Sequence, residues 1–213
     1  MKNLTQDNIA QLIEDADSFE LLQKLGDYCI SVEDYTTAQH CYGRAAQMEP
    51  DEAGPYVGIG VVGLQQDCLD EAEVAFKVAV RLDPKCSKAY SGLAMTAHRM
   101  GDCKRAFDMY LKSLELDMDN LTALLGLFQI SCQIGSFEKI IYYLKVYLKM
   151  YPKDTSVMFT LAVLYMKDDR LKCTRKVLSE LLDIEPDNRD AINLLEEIEH
   201  NLNKKNMKTI KAK

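Results

Sequence analysis

A proline returns every 34 residues in this chain: Pro50, Pro84, Met118 where the next is due, then Pro152 and Pro186. A fixed period of that length settles the fold class before any other feature is weighed, because it marks helical hairpins stacked one on the next. Columns unrelated to proline keep the same step. Leu25, Ile59, Leu93, Leu127, Leu161 and Leu195 are all large and apolar. The next column reads Gly26, Gly60, Ala94, Phe128 and Ala162, small in every repeat but the fourth. Ala38, Ala72 and Ala106 are each followed four residues later by Tyr42, Phe76 and Tyr110, then by Ala45, Ala79 and Ser113.

Within each half repeat the apolar residues recur at three- and four-residue steps, as in Leu21, Leu22, Leu25 and Cys29, which is the stripe of an amphipathic helix. Each repeat is therefore two helices. Small residues at Gly26, Ala38 and Ala45 let the pair approach closely, and Tyr42 fills the gap they leave. The proline falls past a helix end, where its missing N–H costs nothing, and a nearby Asp or Asn can cap the next helix. One hairpin cannot bury its own apolar face, so neighbours must stack.

Leu22-x2-Leu25-Gly26, Tyr56-x2-Ile59-Gly60 and Tyr90-x2-Leu93-Ala94 in the first helices, with Ala38-x3-Tyr42, Ala72-x3-Phe76 and Ala106-x3-Tyr110 in the second, resemble the tetratricopeptide repeat family. The resemblance covers residues 19–188 as five repeats: 19–52, 53–86, 87–120, 121–154 and 155–188. It implies an all-α fold, a right-handed superhelical solenoid of helix-turn-helix repeats, that binds protein. Residues 1–18 read as an N-terminal capping helix, with Ile9, Leu12 and Ile13 inward, and 189–203 as a C-terminal one. Residues 204–213, with five lysines and no acid, read as a basic flexible tail.

Charge and composition narrow the partners. The chain has a net charge of -7, and taking the tail's five lysines from the 26 basic residues leaves 21 against 33 acidic. Such a body repels nucleic acid and anionic lipid. The longest dense apolar run, Tyr56 to Leu64, is far too short for membrane insertion, and Met1 to Asp7 lack the apolar core of a signal peptide. Cysteines 29, 41, 68, 86, 103, 132 and 173 are odd in number and contain no Cys-x2-Cys pair, so they predict free thiols, no metal site and a cytoplasmic location. The expected partner is a protein or peptide, and homo-oligomerisation is left open.

One stretch imitates a catalytic motif. Gly58-Ile59-Gly60-Val61-Val62-Gly63 spells the dinucleotide fingerprint, with Asp83 twenty residues on. That fingerprint needs a strand running into a glycine turn, whereas Gly60 stands in the small-residue column of a helix. His98 and His200 lie on separate repeats with no triad spacing. No catalytic residue, cofactor or metal ligand is expected, and a nucleotide-binding enzyme is the least favoured reading.

The strongest functional lead lies on the first helices, on the side that resembles the family's concave ligand groove. Val57, Val61 and Leu64 are followed by Met95 and His98, then Leu125, Gln129 and Cys132, then Phe159, Val163 and Met166. A solvated wall should be polar, and this one is largely apolar, which marks a surface for an apolar or amphipathic segment of a partner. A terminal helix folded into the groove, or a curvature tight enough to bury it, would explain the same residues. Gly58, Gly92 and Gly126, also 34 apart, fit either close helix packing or a groove floor that a ligand backbone can approach. The basic and amide clamp that grips chaperone tails is missing: the positions offer Gln23, Asp27, Val57, Gly58, Val61, Lys88 and Gly92. A non-enzymatic interaction scaffold or adaptor is the reading reached, with a cytosolic chaperone for a secretion or flagellar substrate as the alternative.

The fourth repeat departs from the pattern. Phe128, Ile140 and Tyr147 replace small residues, and Tyr143, Tyr147 and Tyr151 follow at four-residue steps. These tyrosines either form a second contact surface on the outer wall or serve the core.

Overall fold

The computed structural model describes residues 18–211, with side chains described to 200 and at 202; the segment Asn8 to Ala16 lies outside them. Eleven helices and no strand occupy the described residues. They are α1 Phe19–Ser31, α2 Tyr35–Met48, α3 Ala53–Gln65, α4 Leu69–Leu82, α5 Ser87–Arg99, α6 Cys103–Leu116, α7 Leu121–Ile134, α8 Glu138–Met150, α9 Thr155–Lys167, α10 Leu171–Ile184 and α11 Arg189–Lys211. Pro50, Pro84, Pro152 and Pro186 each fall two residues past a helix end, and Met118 holds the same place after α6. The chain forms two compact units, 1–130 and 131–213, divided within α7.

Two further columns of the 34-residue period appear at the helix joints. The residue before each first helix is Ser18, Glu52, Cys86, Asn120, Asp154 or Asn188. Asn120, Asp154 and Asn188 accept the backbone N–H of Ala123, Val157 and Ala191, each at 3.0 Å, and Ser18 accepts that of Leu21 at 3.4 Å. Glu52 and Cys86 make no such bond, so α3 and α5 begin uncapped. Asp34 and Asp102 cap the second helices α2 and α6. Inside each hairpin the turn passes through a left-handed residue: Glu33, Asp67, Gly101, Gly135 and Asp169, with φ of 61, 62, 86, 69 and 57°. Only at Gly101 and Gly135 is that conformation free of Cβ strain.

In the first unit each second-helix aromatic enters slots made by glycines. A β-carbon added at Gly26 or at Gly58 would overlap the Tyr42 ring, and at Gly60 or Gly92 the Phe76 ring; at Gly126 it would meet Tyr110. Tyr42 and Phe76 thus each fill the space between their own repeat's first helix and the first helix of the next repeat. All three rings are fully or almost fully buried. This close approach accounts for glycines that would otherwise weaken α3 and α5 by roughly 1 kcal/mol each. The glycines are packing residues, and Gly58 and Gly92 also line clefts of the first unit.

The second unit packs Met158, Ala162, Leu178, Leu181, Ala191 and Leu194 from α9, α10 and α11 into one cluster. Leu144 and Leu178 hold the aromatic column's positions there and are buried. α11 continues to Lys211, through the stretch read as a flexible tail after residue 203. The reason is local: residues 204–211 hold neither proline nor glycine, and lysine and methionine are good helix formers.

Candidate functional site

The first helices of the first unit leave two adjoining clefts. One, of about 400 Å³, has Val57, Val61, Leu64 and Phe76 on one side and Gly92 and Met95 on the other. The second, of about 420 Å³, runs from Gln23, Asp27 and Ile30 to Gly54 and Gly58. Both include Val57, Val61 and Lys88, so the groove is continuous at those residues. Val57 and Val61 are half-buried and Met95 is exposed. They are held there because α3 and α5 turn their glycine faces toward the Tyr42 and Phe76 rings, which leaves the valines and Met95 about one helical step round.

One wall is polar and internally bonded. Asn120 donates through Nδ2 to Ser113 Oγ at 3.0 Å and to Ser91 Oγ at 3.4 Å, while its Oδ1 caps α7. Ser113 Oγ donates to the Ser87 carbonyl at 2.8 Å, and Ser91 Oγ to that of Lys88 at 3.1 Å. The hydroxyl of Tyr42 donates to Asp27 at 2.6 Å in the neighbouring cleft. Burial first, and then that bond, push the Tyr42 phenol far above its ordinary range; burial alone takes Tyr110 up to about 12. These phenols stay neutral donors. Burial also pushes the Cys41 thiol up to about 12, far from the nucleophilic range.

Leu64 is 4% exposed and belongs to the core with Ala72, Phe76 and Leu93, so it backs the cleft where an exposed apolar wall was expected. Gly58, Gly92 and Gly126 are buried under aromatic rings. His98 is half-buried, and Leu125 and Gln129 are exposed; none of the three lines either cleft. In the second unit Cys132 is half-buried, and Phe159, Val163 and Met166 pack against the cluster to which α11 contributes Ala191 and Leu194. All three remain half-buried.

Tyr147 is likewise a core residue. It is 7% exposed, donates its hydroxyl to Asp154 at 3.1 Å and stacks 4.7 Å from Tyr151. Tyr151 follows the end of α8, and Tyr143, half-buried, packs edge-on against Tyr142 at 5.3 Å. A shared outward face of Tyr143, Tyr147 and Tyr151 therefore does not form. Gly58, Gly60 and Gly63 all lie inside α3, with no strand–turn–helix junction for a pyrophosphate. The polar wall of Ser91 and Asn120, and the Asp117, Asp119 and Thr122 edge beside it, went unread in the sequence; the cap column at Asn120 was the available signal.

Stacked helical hairpins with a groove along their first helices define an all-α repeat protein, the class in which neighbouring units together offer an extended binding surface. No protein-family model matches the chain. The small glutamine-rich tetratricopeptide repeat-containing protein 2 of Mycosarcoma maydis is 29% identical over 127 residues, 58% of this chain and 35% of that protein. The mitochondrial import receptor subunit TOM70 of Rattus norvegicus is 33% identical over 81 residues, 37% of this chain and 13% of the receptor. The chain thus spans about a third of the length of the first relative and about an eighth of the second. Among solved structures, YrrB, a TPR protein with an unusual peptide-binding site, superposes with a TM-score of 0.60 at 17% identity, covering 86% of this chain and 95% of that one. PilF of Pseudomonas aeruginosa superposes with a TM-score of 0.68 at 14% identity, covering 88% and 86%. The likeness to the solved structures is one of fold. With the repeat columns and the curated relatives, it makes this chain a tetratricopeptide repeat protein, an all-α repeat superhelix.

Proposed function

We propose that the chain is a non-enzymatic protein-interaction scaffold whose first-unit groove holds an apolar or amphipathic segment of a partner. The observation that carries this reading is the open cleft in which Val57, Val61 and Met95 stand beside a bonded polar wall of Ser91 and Asn120. Apolar pockets with a few fixed polar groups are the ordinary form of a peptide site, and methionine adapts to varied side chains. YrrB, with its peptide-binding site, shares the fold. All seven cysteines are free thiols, as suits a protein working in the reducing cytoplasm. No helix among the described residues is long and apolar enough to cross a membrane.

The test is peptide selection on the purified chain followed by affinity measurement on the enriched sequences. Enrichment of apolar motifs is expected, and the double variant Val61→Glu with Met95→Glu should weaken them by about a hundredfold, since a carboxylate forced against an apolar partner is left unpaired. The helical melt of the variant should stay close to that of the parent. Unchanged affinity in the double variant would refute the groove as the site.

A further inference from the structure

The second unit carries a cleft of about 390 Å³ between α8 and α10, floored by Leu161 and Tyr165 of α9. Its apolar walls are Leu148 and Val177, and its rim holds Lys145, Lys149 and Lys176, the last paired with the one carboxylate, Glu180, at 3.6 Å. Three lysines against one acid is a local reversal in a chain of net charge -7.

The 34-residue columns show how this cleft differs from its counterpart in the first unit. There Glu73 on α4 binds Arg105 on the next second helix and Lys77 on its own at 2.8 Å, so the space between second helices is bridged by charge. The hydrogen bond from Lys77, with those from Arg105, holds Glu73 below its ordinary value. The equivalent positions in the second unit are Ile141, Cys173 and Lys145. Ile141 is buried and offers no carboxylate, so the bridge is gone and the lysine remains. Lys145 and Lys149, four residues apart on one exposed helix face, make no ion pair among the described residues. Like charges at that spacing repel, and an anionic partner relieves the repulsion.

We propose that this cleft is a second docking site, for an amphipathic segment of a partner protein that sets an apolar side chain over Leu148 and Val177 and its carboxylates against Lys145, Lys149 and Lys176. Charge complementarity selects the segment: the rim is basic on a chain of net charge -7, so the carboxylates of an acidic partner are drawn to this face. The four-residue spacing of Lys145 and Lys149, about 6 Å along the helix, suits carboxylates on successive turns of a bound helix. The site is separate from the first-unit groove and does not depend on it.

Fluorescence anisotropy with the full chain decides the matter. The probe is a labelled 15-residue amphipathic peptide with leucines on one face and glutamates at four-residue spacing beside them. Its controls replace every glutamate by glutamine or by lysine. The glutamate peptide should bind, the glutamine form at least about tenfold more weakly, and the lysine form not at all. Lys145→Glu with Lys149→Glu should cost the glutamate peptide at least about tenfold, and raising the ionic strength from about 0.05 to about 0.5 M should weaken it. The loss caused by the two lysine reversals should be the same in a Val61→Glu, Met95→Glu background, which separates the site from the first-unit groove. The proposal fails if the glutamate peptide does not bind, if the lysine reversals leave it unaffected, or if the Val61 and Met95 variant abolishes it. It also fails if vesicles of phosphatidylserine capture the chain through these lysines while the peptide does not.

Discussion

The two units fill the same repeat columns with opposite solutions. In the first, glycines on the first helices make slots and aromatic rings fill them: Tyr42 meets Gly26 and Gly58, and Phe76 meets Gly60 and Gly92. In the second, Thr160 stands in the column of Gly58, Gly92 and Gly126, and Leu144 and Leu178 stand in that of the rings. Slot and filler change together because the interior is close-packed, so a wider floor requires a smaller plug. The second helices differ in the same sense, bridged by Glu73 and Arg105 in one unit and left apolar and basic-rimmed in the other. A repeat array can therefore keep its period while exchanging the chemistry at each joint.

The largest expected effect is on the ring itself. Phe76→Ala should lower the stability of the chain by about 3–5 kcal/mol in chemical denaturation followed by helical circular dichroism, because the slot between two glycines cannot collapse onto an alanine. A loss below about 1.5 kcal/mol would mean that the glycine slots hold no real packing. Smaller, and opposite in sign between two sites, is the addition of one methyl group. Gly92→Ala pushes a β-carbon into the Phe76 ring and should cost about 1–3 kcal/mol. Gly43→Ala, on α2 with open space around it, should stabilise by about 0.5–1 kcal/mol through helix propensity. Equal signs at the two positions would break the comparison. The smallest effect belongs to the turns: Asp67→Gly should stabilise by up to about 1 kcal/mol, since its φ of 62° carries Cβ strain that Gly101 lacks. Thermal melts of the parent and variant side by side would show no gain if the Asp67 side chain, which binds Arg99 at 2.8 Å, contributes as much as the strain removes.

Much of this fold was legible because a solenoid writes its contacts once per period. The helix pairs, the proline after each pair and the apolar columns follow from spacing alone. The glycine column was visible, but its role was not, since the sequence does not say whether the missing side chain faces a ring or a ligand. Leu64 and Val61 illustrate the same limit. Three residues apart on one helix, they look equivalent as a stripe, yet Phe76 and Leu93 close over Leu64 and leave Val61 on the cleft. Phe159, Val163 and Met166 pack against a cluster that α9, α10 and α11 build together, a joint contribution that no single helix stripe announces. Tyr147 was drawn inward by Asp154, seven residues on, at the start of the next first helix. Lys145 stands in the column of Lys77, whose partner Glu73 is replaced at the equivalent position by Ile141.

The caps at Ser18, Asn120, Asp154 and Asn188 and the left-handed turns from Glu33 to Asp169 recur in one phase. Length is therefore quantised in this chain. Removing or adding one whole period leaves each helix start facing a cap position and each turn facing its left-handed residue. Any other change in length puts a helix interior where a joint must bend.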